Sequence, residues 1–560
     1  MQYRARKLSL LLIAATIVTT LLACGSPDTS ARQDQASSTA IPAAARTAAS
    51  DTNPTSTRTE GPAGTPEPSN TPTQTAVPTT PTPAPMGMSR SNPFPFSAVA
   101  PVPNWDVQVL DAVRGEQARQ MLAAANQLSD PVPEGMENLL VKIRAKSTSQ
   151  DAGPHYIAGP DFRLTGDRLA LYHSDFSVVP EDELFAGLAP GEETEGWVAF
   201  LVGQGEGNLL LVAHDPLAGW GPDRVRFIAL EDGAALQVSP DLADIQPTYT
   251  ELTRSAPVPL GETVSTEQWS VTVLEVVKGD EAWTMVKAAD ESNHPPVEGM
   301  QYVAIRARVR NIDAEGGVRF MMSNDYFRVT GDANVVYPPP SVVAPSPILD
   351  ANLYPGGEHE GWVVEQAAEG ETNLMARFDD WVVRDELKRY LALEDGASIT
   401  SIGTPSELAG IEPETTGTDL SGPAPIGERI TTEDWQLRVV DVIRGEQAWQ
   451  MAEEAHRLNY PPDEGKEFVA VRAHARYIGT EDGAAHIGAS SFSTIGSAET
   501  IYGSPPIYDP DPALDVELFP GAEYEGWAIL QIGKDETGLI AIFEPGGSAE
   551  SEKRFLSLEP

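Results

Sequence analysis

The 560-residue chain has a single cysteine, Cys24. That excludes a disulfide-stapled scaffold, a Cys-rich zinc centre and a cysteine-held iron–sulfur cluster. Aromatic residues reach only 7%. Positive charge is scarce too, with 38 Lys and Arg against 82 Asp and Glu for a formal charge of −44. A general nucleic-acid binder needs clustered positive charge to displace counterions from phosphate, so that class is set aside. There is no His-Glu-x-x-His, no Walker loop, no Gly-x-Ser-x-Gly elbow and no EF-hand spacing. The eight histidines do not recur at matching positions. No nucleophile, base, metal ligand set or cofactor cradle is thereby named, and a non-enzyme without cofactor or metal is the expectation.

Long apolar runs are also rare. One stands out, Leu8 to Leu22, about 15 residues behind Arg4, Arg6 and Lys7. It is shorter than the ~20 residues a spanning helix needs and suits a signal h-region. It ends in Leu21-Leu22-Ala23-Cys24, which resembles the bacterial lipobox. The resemblance implies a signal over 1–23, a lipidated Cys24 and a protein anchored on the extracytoplasmic face of a bacterial membrane. An uncleaved anchor or an ordinary signal is the alternative. Residues 25 to about 92 hold no aromatic residue and are rich in Thr, Pro, Ser and Ala. Such a segment cannot bury enough apolar area to offset chain entropy, so 24–100 reads as a disordered, semi-extended tether. Residues 1–100 carry 7 basic and 5 acidic side chains, leaving 31 and 77 for 101–560. All the negative excess is in the folded part.

That part repeats itself. A Trp opens each unit (Trp105, Trp269, Trp435), spaced by 164 and 166. Arg114-Gly115-Glu116, Lys278-Gly279-Asp280 and Arg444-Gly445-Glu446 follow at the same spacing. Late in each unit a Leu-x-Pro-Gly-x-Glu-x-Glu-Gly-Trp pattern ends at Trp197, Trp362 and Trp527. The expected units are 101–234, 257–397 and 423–560, with linkers 235–256 and 398–422.

Within a unit the period alternates. Trp435, Leu437, Val439 and Ile443 share one face at period two. Ala448, Met451, Ala452, Ala455 and Leu458 then form a helical stripe, stopped by Pro461-Pro462. Val303, Ile305, Ala307 and Val309 alternate with Arg306, Arg308 and Arg310. Short alternating runs between Gly, Pro and Asp turns predict a β-sandwich with one short helix. The acids Asp111, Glu275 and Asp441 fall on the apolar parity of the first strand; either a bulge turns them outward, the favoured reading because an unpaired buried carboxylate is costly, or each is paired beneath the sheet edge.

The order of Trp strand, Gly-Glu-x-Ala helix, Leu458-Asn459-Tyr460-Pro461-Pro462-Asp463-Glu464-Gly465, Val-rich strand and closing Gly-Trp motif resembles the telokin-like immunoglobulin-fold domains of bacterial lipoproteins and secreted proteins. The secreted mycobacterial immunoprotective antigens share that sandwich. Leu128-Ser129-Asp130-Pro131 and Ser292-Asn293-His294-Pro295 match more weakly. The resemblance implies an all-β chain of three tandem immunoglobulin-like sandwiches at the cell surface, and no reaction.

Three recurrences are candidates for contact. The second strand carries a basic ladder: Lys142, Arg144, Lys146; Arg306, Arg308, Arg310; Arg472, His474, Arg476. Residues at i and i+2 share a sheet face about 6.5–7 Å apart. Such a stripe either pairs with acids across the sheet or receives an anionic envelope polymer. The Glu pairs 193/195, 358/360 and 523/525 either answer the ladder or form a cation site, for which two carboxylates are too few. The framework tryptophans read as core or sheet-edge residues that could stack on sugar rings if exposed, whereas Trp283 and Trp449 on the helices are candidate partner contacts. The sequence thus supports a non-catalytic binding protein held to the membrane by lipid, its partner an envelope polymer or surface protein. Alternatives are a structural spacer or a small-ligand or metal-handling lipoprotein.

Overall fold

The computed structural model describes residues 85–560 apart from segments at 127–131, 134, 152, 176–178, 181, 215–223, 238, 249–252, 315–316, 322, 380–387, 401–407, 480–482, 546–549 and 560. The signal run, Cys24, most of the tether and Leu128–Pro131 lie outside the described residues.

Antiparallel sheets dominate, with one helix of ten or eleven residues per unit. The first sheet of unit one runs in spatial order Val99–Val102, Trp105–Arg114, Met136–Ser147, Glu193–Gly203. The second runs Arg226–Ala229, Leu210–Ala213, Phe162–Thr165, Tyr172–His173. Units two and three repeat this plan. The inner residues of both sheets meet in one core: Trp105, Val107, Val109 and Ile143 pack with Phe162, Leu164 and Leu211. Alternation of apolar and polar residues on these strands leaves no other stable arrangement for the apolar side. Trp105, Trp269 and Trp435 are buried there.

The bulge is present in all three opening strands, between Val109 and Asp111, Val273 and Glu275, and Val439 and Asp441. It turns the acids outward, where each is exposed. It also corrects one expectation. An extra residue moves everything beyond it to the other face, so Ile443 leaves the face of Trp435 and packs under the helix with Ala448, Ala452 and Phe468. The helix Glu446–Ala455 stops three residues short of Leu458, which is 67% exposed rather than part of the apolar stripe.

The helix divides the outer face of the first sheet. It covers the apolar half, Phe468, Ala470 and Ile529, against which Trp527 also packs. The other half carries the basic ladder and the Glu pairs.

Residues 85–100, read above as tether, belong to the first unit: Phe94 bridges Ile228, and Val99–Val102 pairs with Trp105–Gln108. Units are joined by more than linkers. Val335–Val336 of the second pairs with Val516–Leu518 of the third, making one six-stranded sheet across the junction. The cores of these two units form one continuous cluster. The first junction is a smaller version, with Ala170 bridging Leu353. Both junctions carry an Arg over a ring: Arg90 over Tyr354 at 4.3 Å and Arg254 over Phe519 at 3.5 Å.

Candidate anion site on the third unit

The ladder is built by the long second strand of each unit, whose register sets Lys142, Arg306 and Arg472 against Trp197, Trp362 and Trp527, and the two positions that follow against the Glu pair of the neighbouring strand. Arg144 opposes Glu195, Arg308 opposes Glu360, and Arg476 opposes Glu523. The side chains complete the pairing. Arg144 donates to Glu195 at 2.8 Å. Glu360 takes both Arg306 at 3.2 Å and Arg308 at 2.7 Å. Arg310 reaches Asp241 at 2.9 Å and Glu358 at 3.5 Å. Arg472 meets Glu525 at 2.8 Å, while His474 and Arg476 share Glu523 at 3.3 and 3.4 Å. Lys142 and Arg472 also lie over Trp197 and Trp527, each at 5.9 Å. In the first two units, then, the ladder's arginines are answered by acids, and the Glu pairs are their cross-strand partners. Exposed pairs of this kind contribute about 0.2–1 kcal/mol each.

Unit three departs from this balance. Its first pairing ends at Ile430 with Leu437, and Arg429, one residue earlier, lines the same cavity as Arg438, which in turn opposes His474. At the equivalent positions Val99 pairs with Gln108 and Thr263 with Thr272, the two threonine hydroxyls being 2.7 Å apart. Among the described residues neither Arg429 nor Arg438 makes an ion pair. Together with Gly427, Gln436, Leu437, His474, Arg476 and Glu523 they line an open cavity of about 360 Å³. Three guanidiniums and an imidazole thus face one carboxylate, already shared by His474 and Arg476.

Of the residues singled out in sequence, His474 and Arg476 line this cavity; Arg472 lies on the same strand but turns to Glu525 and Trp527, and Lys142, Arg144, Arg306, Arg308 and Arg310 sit on other units. Trp283 and Trp449 are half-buried, their rings 6.1 Å from those of Tyr302 and Phe468. They seat the helix on the sheet, which leaves less of each ring free for a partner. Arg429 and Arg438 stand apart from the ladder's pattern, Arg438 on the first strand of the unit's sheet and Arg429 just before Ile430. A comparison of the units position by position would have found them, since Arg stands only in the third. Among the described residues no group of three or more His, Cys, Asp or Glu could hold a metal ion.

A second set was also overlooked. Tyr172, Tyr337 and Tyr502 donate their hydroxyls to Glu206, Glu371 and Glu536 at 2.5, 2.6 and 2.8 Å. The same carboxylates accept from the backbone N–H of Arg168, Ala333 and Ala498. Burial raises the Glu206 and Glu371 carboxyls, against the pull of these hydrogen bonds. The motif clamps a tight turn in each unit and is structural.

No family model and no curated protein matches this chain. Among solved structures, a putative lipoprotein from Bacillus subtilis aligns at 16% identity and TM-score 0.19, over 28% of this chain and 43% of that one. The yjhA protein from Bacillus subtilis aligns at 12% identity and TM-score 0.18, over 25% of this chain and 99% of that one. The chain thus spans less than half the length of the first of these. With scores so low, the all-β architecture rests on the strands themselves.

Proposed function

We propose that this chain is a non-catalytic binding protein whose third unit receives an oxyanion. The observation that carries the reading is Arg429 gathered with Arg438, His474 and Arg476 around the 360 Å³ cavity, Arg438 standing directly across from His474. Like charges placed opposite each other destabilise a sheet. A bound anion turns that repulsion into attraction, and guanidinium forks suit the paired oxygens of phosphate or carboxylate. The −44 background repels polyanions at long range, so the ligand binds through close contact rather than by steering. Phosphate or carboxylate groups of an envelope polymer fit this requirement.

The finer placement belongs to the same reading. The units are immunoglobulin-like sandwiches of the telokin type, supported by the shared motif order and by two antiparallel sheets around one core. The chain is a lipoprotein held by Cys24 on the extracytoplasmic face, supported by the lipobox and the Thr/Pro-rich tether. The continuous sheet across the second junction favours a further role as a stiff spacer.

Calorimetric titration of the full chain with inorganic phosphate and with polyphosphate tests the ligand. Replacing Arg429 and Arg438 by the first unit's residues (Arg429→Val, Arg438→Gln) should weaken binding at least tenfold. Absence of binding by the parent chain, or binding unchanged in the double variant, would sink the proposal.

A further inference from the structure

The two junctions use one design, and the third unit carries the receiving half with no loop of the described residues seated on it. In each junction the outer face of a unit's second sheet is covered by the next unit's loop. Leu169 and Asn334, both with positive φ (57° and 60°), offer their carbonyls to the N–H of Tyr354 and Phe519 at 2.8 and 3.0 Å. The ring that follows lies under Arg90 or Arg254 and packs on the sheet: Tyr354 with Leu171, Leu210 and Phe227, and Phe519 with Val336, Met375 and Tyr390.

The equivalent residues of the third unit are Ile501, Ile540 and Phe555, and Leu420 stands where the arginines stand. All four are apolar. Their counterparts in the first two units are at most 8% exposed at the sheet positions. Here Ile501 is 62% and Leu420 41% exposed, and Ile540, Phe555 and the neighbouring Ile495 are half-buried. Glu499, again with positive φ (56°), occupies the place of Leu169 and Asn334. Its strand Ile501–Gly503 is the edge of its sheet. Ser493 and Ile542 replace the cations Arg328 and Arg377, so this copy of the face is the more apolar as well as the uncovered one.

A second copy of this chain does not supply the missing piece. Its first unit has Ala189 where the other units have Tyr354 and Phe519, and Gly187 where they have Asn352 and Glu517. The Tyr156 ring lies against Gly187, within 2.9 Å of where a Cβ would stand. That leading end is closed by its own side chain, whereas the trailing end stays open.

We infer that the outer face of the third unit's second sheet is a docking surface for a different protein, one presenting an extended segment that ends in an aromatic residue before a Pro–Gly turn. The segment adds antiparallel to the edge at 499–503, as Val516–Leu518 adds to Val335–Val336. Its ring settles on Ile501, Ile540 and Phe555. Leu420 stands where Arg254 covers the Phe519 ring, so this seat offers the ring an apolar cover in place of a guanidinium. Main-chain pairing supplies affinity and the ring pocket supplies specificity.

The test uses the chain's own donor segment as the probe. A synthetic peptide of residues 511–522, containing Phe519, is titrated into the full chain. Amide exchange at 499–503 and fluorescence anisotropy of the labelled peptide are read together. The expected result is saturable binding with slowed exchange at the edge, and at least tenfold weaker binding for the peptide with Phe519→Ala and for the chain with Ile501→Glu. Because an edge charge could perturb the sheet, Leu420→Arg serves as a milder variant. It restores the guanidinium of the internal junctions and should tighten the Phe peptide severalfold. No saturable binding, or binding indifferent to both Ile501→Glu and Phe519→Ala, would overturn the inference. So would concentration-dependent self-association abolished by Ile501→Glu, which would make a second copy the occupant.

Discussion

Arg377 of the second unit and Glu517 of the third form a two-pronged ion pair, both bonds 2.5 Å, on the sheet that crosses their junction. Arg377 is 5% exposed at its side chain, and Lys388 approaches the same carboxylate at 3.6 Å. Burial alone would raise the Glu517 carboxyl; the hydrogen bonds and charge of Arg377 overrule it and hold the pKa at about 2. The first junction has Val212 and Asn352 at these positions, so the pair belongs to the second junction alone.

Removing one partner should be costly. Glu517→Gln leaves a buried guanidinium without its counter-charge and should destabilise by about 3–5 kcal/mol in urea unfolding. Replacing both partners as at the first junction (Arg377→Val with Glu517→Asn) should recover most of that. Because the folded pKa lies below the ordinary 4.5, this stabilisation is full above pH 4.5 and is lost as pH falls towards 2. Glu517→Gln should flatten the acid limb of the stability profile; an unchanged limb would contradict the assignment.

Glu365 has the opposite sign. It is fully buried on an inward position of its strand, where the other units have Phe200 and Leu530, and neither oxygen has a hydrogen-bond partner. Burial raises its pKa to about 8, against the weaker pull of Arg328 and Arg377. A raised carboxyl binds its proton more tightly folded than unfolded, so stability falls as pH climbs from about 4.5 to 8. At pH 7 the difference amounts to roughly 3 kcal/mol. Glu365→Leu should stabilise the second unit at pH 7 and remove that slope, both readable in thermal melts across the range.

Arg429 and Arg438 gathered at one cavity should cost stability while no anion is bound. Arg438→Gln should raise the melting free energy by about 0.2–1 kcal/mol at low salt, and the gain should shrink above 0.5 M salt as screening replaces it. A loss of stability instead would contradict the repulsion.

The tyrosine–glutamate clamps offer an internal control. Tyr337→Phe deprives the Glu371 carboxylate of one donor and should destabilise by about 1–3 kcal/mol. Tyr172→Phe should behave alike, since its clamp is as buried. Equal stability of either variant and the parent would remove the clamp from the account of the fold.

Lipid attachment is a separate matter. Cys24→Ser should move the protein from the membrane fraction to the soluble fraction on sedimentation of cell lysates. Retention in the membrane fraction would rule out the lipoprotein reading.

Much of the fold was legible because the pattern is stated three times. Period-two alternation beginning at Trp105, Trp269 and Trp435 names the strands and their inner faces. The stray acids at 111, 275 and 441 mark the bulges. The consequence for Ile443 was less visible, since a bulge reverses parity only when the partner strand's register is known. The ladder's neutrality was half legible: Glu193/195 and its repeats offered partners, and only the register joined them to Arg144 and its equivalents. Arg429 and Arg438 escaped because eight residues lie between them along the chain, and a hairpin brings them to one cavity.

The sequence by itself determined the units, their all-β character, the helix that follows the first long strand of each and the segregation of negative charge into the folded part. These follow from local periodicity and turn chemistry, which act over a few residues. The tertiary structure decided which charges cancel, which arginines are left over in the third unit, and that successive units share sheets and rings. Those outcomes depend on strand register and on contacts between residues far apart in the chain, such as Arg254 with Phe519. No local pattern encodes distance in space, so the open face beside Leu420 and Ile501 became visible only when its covered counterparts could be set beside it.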